Sequence, residues 1–530
     1  MQTIKRQANI IVYDVGSTYT KAVAFALDQD HLDFLGRAQS PTTLNDIMEG
    51  VDKATAKLKT QEIEISDDVK YYSTCSAAGG LRMVAMGFMP RVTAKAAKEV
   101  AMSAGARVLE VISHEDSPTY RLEILREIKP DIILLAGGTD GGEIESAVEN
   151  ARLIVEAELS CMVVIACNKE AQPQVIEILN THDVNFVVCP NIMPTIHRLN
   201  VTSAREAIHH EFIKQLTNAK GLENLVNLVE DKEIRPTPGA VLLAGELWAN
   251  GTRNQEGFGD VLMIDVGGAT TDIHSVLPGV ADLRDEEIGL IINNEKQASY
   301  RTVEGNLGMR VSATGIVDAV GAESLEQIVN TLDPDNEIEF ENLEMIEEYA
   351  RERKKNTELI AEANWEDKLD QALAIAAIHV SLKRHAGYIV QEYNPDTGVL
   401  PGFPVGRDLR KVKLVLGIGG MFANHAEEFN QITLGRAFSD PGPSLFPTEP
   451  KFLFDKHYLV FALGTLGLYY PDAVFNFMRS EQFTGQVIER PKPVIYEPPK
   501  LDLEALHDDE EHKEWFRQQR EAAKKRKLKE

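Results

Sequence analysis

Two short stretches of this sequence place a carboxylate, glycine and hydroxyl residues at matching spacing. Residues 11–23 read IVYDVGSTYTKAV and residues 262–274 read LMIDVGGATTDIH. Asp14 aligns with Asp265, Val15 with Val266, Gly16 with Gly267 and Thr20 with Thr271. In each copy an apolar run ends near the acid, and a polar turn leads into a second run of strand character. A carboxylate at a strand end can hold Mg2+, usually through water, because that ion gives up its hydration shell reluctantly. Gly16 lets the backbone approach a phosphate closely, and Gly267 and Gly268 repeat the provision. Turn N–H groups and the hydroxyls of Ser17, Thr18, Thr270 and Thr271 can donate to phosphate oxygens. Lys21 can add a positive charge. Asp265 and Asp272 flank the second turn, so one can orient the waters of a metal while the other positions an attacking water. A single turn of this kind is equally an ordinary hairpin. Two matched turns favour a facing phosphate clamp.

A third glycine loop, Gly417-Ile-Gly-Gly-Met-Phe422, follows a strand-like run. Gly417, Gly419 and Gly420 suit close approach to a flat or phosphorylated ligand. The spacing is not that of a dinucleotide fingerprint, and the chain has no GxxxxGK[ST] phosphate loop. Gly137-Gly-Thr-Asp-Gly-Gly142 sits between a buried strand and a helix, where α/β folds bind ligands, although a plain strand-to-helix turn fits as well.

The elements that must position these loops read as an α/β protein. IILLA at 132–136, MVVIAC at 162–167 and NFVVC at 185–189 are short strand candidates, separated by helix-like segments near 143–159 and 171–180. That alternation predicts a parallel sheet inserted within the first of two related halves. The expected division is 1–74 for the first half, 75–235 for the inserted subdomain, 236–475 for the second half and 476–530 for a charged tail. Segment 336–356 reads as a charged helix, and 366–390 carries an apolar stripe that should pack on the second half's sheet. VKLVLGIGG at 412–420 predicts a strand. FALGTLGLYYPD at 461–472 suits either a hinge helix or a helix whose glycines allow close packing.

The order of phosphate turn, phosphate turn and glycine loop resembles the actin, sugar-kinase and heat-shock-chaperone ATPase superfamily. The resemblance implies two actin-like (ribonuclease H-like) ATPase halves with an inserted α/β subdomain. It also places Asp14, Gly16, Ser17, Thr18, Lys21, Asp265, Gly267, Gly268, Thr270, Thr271 and Asp272 at phosphate or metal positions. Gly417, Gly419 and Gly420 would border the adenosine of ATP. Five stretches look more specifically like the accessory protein of adenosylcobalamin-dependent glutamate mutase: YDVGSTYTKAVAF, LLAGGTDGG, IDVGGATTDIHSV, RTVEGNLGMR and GRDLRKVKLVLGIGG. That resemblance implies a chaperone-like factor that binds and slowly hydrolyses Mg-ATP while reactivating a cobalamin-dependent mutase. A small-molecule kinase or an actin-like assembly ATPase on the same fold are the alternatives. Glu304 and Arg310, in RTVEGNLGMR, could reach the nucleotide cleft or form a structural ion pair.

Composition narrows the classes further. The chain has 530 residues, with 43% hydrophobic and 26% charged residues, which fits a globular protein with more than one core. Its net charge of −27 repels phosphate backbones and anionic membranes. This argues against dedicated nucleic-acid binding, including the mismatch-repair role whose name is sometimes misapplied to the accessory family, although a local basic patch could still hold one small anion. Four cysteines without a CxxC pair predict buried free thiols in a reducing compartment. No leader-like segment and no run near 18 apolar residues is apparent, so the expected location is cytoplasmic. Histidines such as His197 and His385 lack metal-ligand spacing. A homo-oligomer is compatible with all of this.

Overall fold

The computed structural model describes residues 6–490 apart from 17–18, 44–45, 76–81, 90–92, 94–96, 98–106, 196–199, 201–202, 205, 209, 212–220, 280–297, 334–337, 339, 341, 391–392, 395–397 and 400–402. Ser17, Thr18, His197 and the charged tail beyond 490 therefore lie outside the described residues.

The first half is a five-stranded sheet. Its strands are β1 (Arg6–Val15), β2 (Tyr19–Asp28), β3 (His31–Pro41) and β4 (Ile63–Cys75), joined much later by β10 (Ile234–Pro236). β1, β2 and β3 form an antiparallel meander, and β4 and then β10 add in parallel on the other side of β1. The resulting order is β3-β2-β1-β4-β10. Helix α1 (Ile47–Lys59) covers one face. The Asp46 side chain caps it by accepting from Met48 N, and Ile47, Val51, Ala54 and Leu58 form its buried stripe.

The second half repeats this plan. β11 (Val261–Val266), β12 (Thr271–Val276) and β13 (Ser299–Glu304) form the meander, and β14 (Leu414–Ile418) and β15 (Lys451–Phe454) add in parallel beyond β11. The order is β13-β12-β11-β14-β15, strand for strand that of the first half. The internal repeat thus extends from one hairpin to a whole sheet. These are two actin-like, ribonuclease H-like halves in an α/β fold.

Between β4 and β10 lies a third sheet of β5 (Arg82–Met86), β6 (Arg107–Ile112), β7 (Ile132–Leu135), β8 (Met162–Ile165) and β9 (Phe186–Val188). All of its pairings are parallel and its order is β6-β5-β7-β8-β9. Helices α2 (Pro118–Ile128), α3 (Glu145–Glu156) and α4 (Gln172–Thr181) supply crossovers. β7 is buried along its whole length, and so is β8 after its first residue, as expected when helices cover both faces.

Strand periodicity decides which core each residue enters. On β1, Ile11, Tyr13 and Val15 join the cluster under α1, while Ile10 and Val12 join one shared with the second half. On β11, Val261 and Met263 face that shared cluster, and Leu262, Ile264 and Val266 face the other side. Helices α5 (Thr237–Asn250), α6 (Val460–Gly467) and α7 (Pro471–Arg479) also contribute to the shared cluster. α5 and α6 approach so closely that a Cβ on Gly464 would collide with the backbone of Ala240. The 461–472 segment is thus a close-packed helix followed by a break before Pro471. The 22-residue helix Asn364–His385 buries Leu369, Leu373, Ala376 and Ala377 in the second half's outer core. The four cysteines are buried free thiols. No helix among the described residues is long and apolar enough to cross a membrane.

Candidate functional site: two strand-end carboxylates

Both hairpin turns close with the same hydrogen bond. Gly16 N donates to Tyr19 O at 3.0 Å, and Gly267 N donates to Thr270 O at 2.9 Å. A Cβ on Gly16 would stand 2.7 Å from Tyr19 O, so the first turn requires glycine there.

Asp14 is 1% exposed and accepts three hydrogen bonds. Its Oδ2 accepts from Lys21 Nζ at 2.9 Å, and Lys21 is its register partner on β2. Its Oδ1 accepts from Thr74 Oγ1 at 3.1 Å and from Thr237 Oγ1 at 2.7 Å. Thr74 belongs to β4, and Thr237 opens α5 after the inserted sheet. Lys21 Nζ also lies 4.0 Å from the centroid of the Tyr458 ring. Burial works against the lysine's charge, but Asp14 and Tyr458 outweigh it and hold its pKa above the ordinary value.

Asp265 occupies the equivalent place on β11, yet its surroundings differ. Its register partner is Asp272 rather than a lysine. Burial, and after it the charge of Asp272, push the Asp265 carboxyl up to about 7. Arg301 and Lys21 work in the opposite direction, and Asp14 adds a smaller upward push. Charges from the first half therefore reach a carboxylate of the second. Asp272 itself is held by Arg301, whose NH2 and Nε donate to Oδ1 at 2.5 and 3.0 Å, and by Thr270 Oγ1, which donates to Oδ2 at 2.9 Å. Thr271 turns inward instead and donates from Oγ1 to Leu307 O at 2.6 Å.

The glycine loop meets the second hairpin directly. Gly419 has φ of +94°, and a Cβ there would collide with Asp265 Oδ1. Gly420 lines a cavity of about 490 Å3 with Gly267, Gly268, Arg310, Asp370 and Phe429. Gly417 lies elsewhere, packed against the rings of Phe422 and Phe454. The rings of His425 and Phe429 stack with centroids 4.2 Å apart at the same cavity. Met309 N and Arg310 N donate to the carbonyls of Gly267 and Gly268 at 3.0 and 2.8 Å. Arg310 pairs with Asp370 at 3.1 Å, the ion pair that was one of its two expected roles, and it also lines this cavity. Glu304 pairs with Arg384 at 2.5 Å. Gly137–Gly142 belongs to a different place, the carboxyl end of β7. Asn191 and Asn168 donate there to the carbonyls of Gly138 and Gly142.

Thr74, Thr237, Tyr458 and Arg301 were not apparent as site residues from sequence. The PTPG start of α5 signalled only a return of the chain, and pairing within each sheet sets Thr74 opposite Asp14 and lays Arg301 of β13 against β12.

A divalent ion fits this donor set in one way. Among the described residues no three metal-ligand side chains converge. Asp14 and Asp265 would instead hold a hydrated Mg2+ through water, and at Asp265 burial first and the charge of Asp272 second leave room for a cation's charge.

A family model described as "MutL protein" matches residues 10–481. A curated relative, "Protein MutL" of Clostridium tetanomorphum, is 36% identical over 475 residues, covering 88% of this chain and 98% of its own length. Among solved structures, a ligand-bound xylulose kinase from Lactobacillus acidophilus aligns over 92% of this chain and 94% of its own, with 10% identity and a TM-score of 0.32. An Aquifex aeolicus Ppx/GppA family protein aligns over 75% and 93%, with 8% identity and a TM-score of 0.19. On the extent of the first two matches, the chain belongs to the MutL protein family.

Proposed function

We propose that this chain binds Mg-ATP between its halves and hydrolyses it slowly. Nucleotide state then sets its affinity for an adenosylcobalamin-dependent mutase, from which it releases damaged cobalamin. The observation that carries the nucleotide reading is the repetition of Asp14 and Asp265 at one position of two sheets of identical order, above turns closed by the same bond. The mutase reading rests on the five stretches that resemble the glutamate mutase accessory protein.

Mg2+, when bound, neutralises charge on the phosphoryl oxygens. Asp14 and Asp265 hold its waters. Gly16, Gly267 and Gly268 admit the phosphates to the backbone, with Ser17, Thr18 and Thr270 bordering them, while Thr271, turned inward to Leu307 O, braces the second turn from behind. Lys21 donates to a phosphate oxygen. Asp272, fixed by Arg301 and Thr270, orients the attacking water. Gly419 and Gly420 border the adenosine. In the assignment 1–74, 75–235, 236–475 and 476–530, the second and fourth parts supply partner recognition, because the clamp requires neither. A partner's affinity changes with nucleotide only if it distinguishes two states of this chain.

Calorimetry on full-length protein should show one Mg-ATP site. If Asp14→Ala and Asp265→Ala both bind Mg-ATP like wild type, the clamp is wrong. For the partner, glutamate mutase or a related aminomutase is inactivated with cyanocobalamin and mixed with this protein, ATP, Mg2+ and adenosylcobalamin. Recovery that requires ATP and Asp14 supports reactivation. ATP use stimulated instead by a metabolite that becomes phosphorylated would replace it with the kinase reading.

A further inference from the structure

A second cavity, of about 330 Å3, opens beside edge strand β3 and shares no lining residue with the glycine-loop cavity. Lys21, Arg37, Lys57, Gln39, Gln61 and Tyr458 bring its polar groups. Among the described residues no aspartate or glutamate lines it. In a chain with a net charge of −27, a pocket whose lining carries three cations, of which only Lys21 is paired with a carboxylate, departs from the overall acidic balance.

Local structure holds two of the cations in place without neutralising them. Arg37 NH1 donates to His457 O at 3.3 Å, and Lys57 Nζ donates to Gln39 O at 2.8 Å. Among the described residues neither is ion-paired with a carboxylate. Arg37 does feel buried Asp455, but that carboxylate is occupied by the N–H groups of Leu459 and Val460. Gln61 Nε2 donates to Arg37 O, which fixes the same edge of β3. Lys21 also lines the cavity, but its charge is paired with Asp14. The donors that remain are guanidinium, ammonium, phenol and amide groups, in a space wide enough for a small hydrated ion.

We propose that this cavity is an oxyanion site that takes a small dianion of the inorganic phosphate class. The two uncompensated cations, Arg37 and Lys57, disfavour a metal ion, and the polar lining disfavours an apolar ligand. A planar guanidinium beside an ammonium matches a tetrahedral oxyanion, which can accept from both. The ligand can be free phosphate or the phosphate group of a metabolite. The first source rests on the nucleotide reading above, whereas the site's chemistry does not.

The test uses full-length protein without nucleotide, titrated by calorimetry with inorganic phosphate and separately with glycerol phosphate. Arg37→Gln and exposed Lys57→Glu should each weaken binding about tenfold or more, and Arg37→Lys should keep part of the affinity, with melting curves confirming folding. Tighter binding of free phosphate assigns the product of hydrolysis as source, and tighter binding of the ester assigns a metabolite. Unchanged affinity in Arg37→Gln and Lys57→Glu, or no binding of either probe to wild type at millimolar concentration, overturns the proposal. Mg-ATP is titrated into the same proteins. Phosphate binding that depends on Arg37, in a protein that fails to bind Mg-ATP, keeps this site and sinks the clamp.

Discussion

Replacing Asp265 by asparagine gives a signed, pH-dependent result. The carboxyl moves from an ordinary 3.8 to about 7 in the folded chain. At about 1.4 kcal/mol per unit, full ionisation would cost the native state about 4 kcal/mol. Asp265 is only partly buried, so solvent screening reduces the expected cost to about 2 kcal/mol. Between the two pKa values the folded chain holds a proton that the unfolded chain has lost. Stability therefore falls as pH rises from about 4 and levels off above about 7. The neutral amide of the variant carries no such penalty. Without Mg2+ or nucleotide, Asp265→Asn should melt about 4–8 °C above wild type at pH 8, taking about 2–4 °C per kcal/mol for a domain of this size. The gap should shrink to about a third of that at pH 5. A less stable variant at pH 8, or a gap that does not change with pH, would refute the charge reasoning.

Asp14→Ala strands Lys21, Thr74 and Thr237 together, so it should cost about 3–5 kcal/mol in urea titrations and abolish Mg-ATP binding. Gly419→Ala combines a left-handed φ with a collision against Asp265, and should destabilise by about 1–3 kcal/mol while weakening nucleotide binding. Asp272→Asn should lower ATP turnover more than ATP affinity; unchanged hydrolysis in a single-turnover assay would leave Asp272 structural. Deleting 490–530 should leave Mg-ATP binding intact by calorimetry, since no clamp residue lies there.

The hairpins were legible because a carboxylate, a turn glycine and hydroxyls recur in one short window, and the buried strands of the third sheet because apolar runs such as IILL need no partner to be seen. Helix Asn364–His385 announced itself through Leu369, Leu373 and Ala376. What stayed hidden depends on distant pairing. Nothing near Thr74 or Thr237 indicates that parallel pairing of β4 and β10 will aim both at Asp14. The contrast between Asp14, paired with Lys21, and Asp265, opposed by Asp272, follows from cross-strand register that a linear motif does not display. Gly417 resembles its loop neighbours in sequence, but it ends a strand's buried face and packs against aromatic rings.

The position of the third sheet also orders events during synthesis. The chain leaves the first sheet after Cys75 and returns at Ile234, and Cys75 and Pro236 are register partners in adjacent strands. At about 5–20 residues per second, the roughly 160 intervening residues keep the ribosome busy for about 8–30 s. Throughout that interval the outer edge of β4 at Ser73–Cys75 has no neighbour, a template for pairing with other nascent chains. Closing so long a loop from an unstructured state would cost about 4–5 kcal/mol in chain entropy. Folding of the third sheet first brings its ends together and removes most of that cost. Thr237 then reaches Asp14 in the same step that docks β10, so the first carboxylate acquires its last partner only when the insertion has folded. A chain that misfolds between residues 75 and 234 would fail at Asp14, whose hydrogen-bond partners Lys21, Thr74 and Thr237 all lie outside that segment.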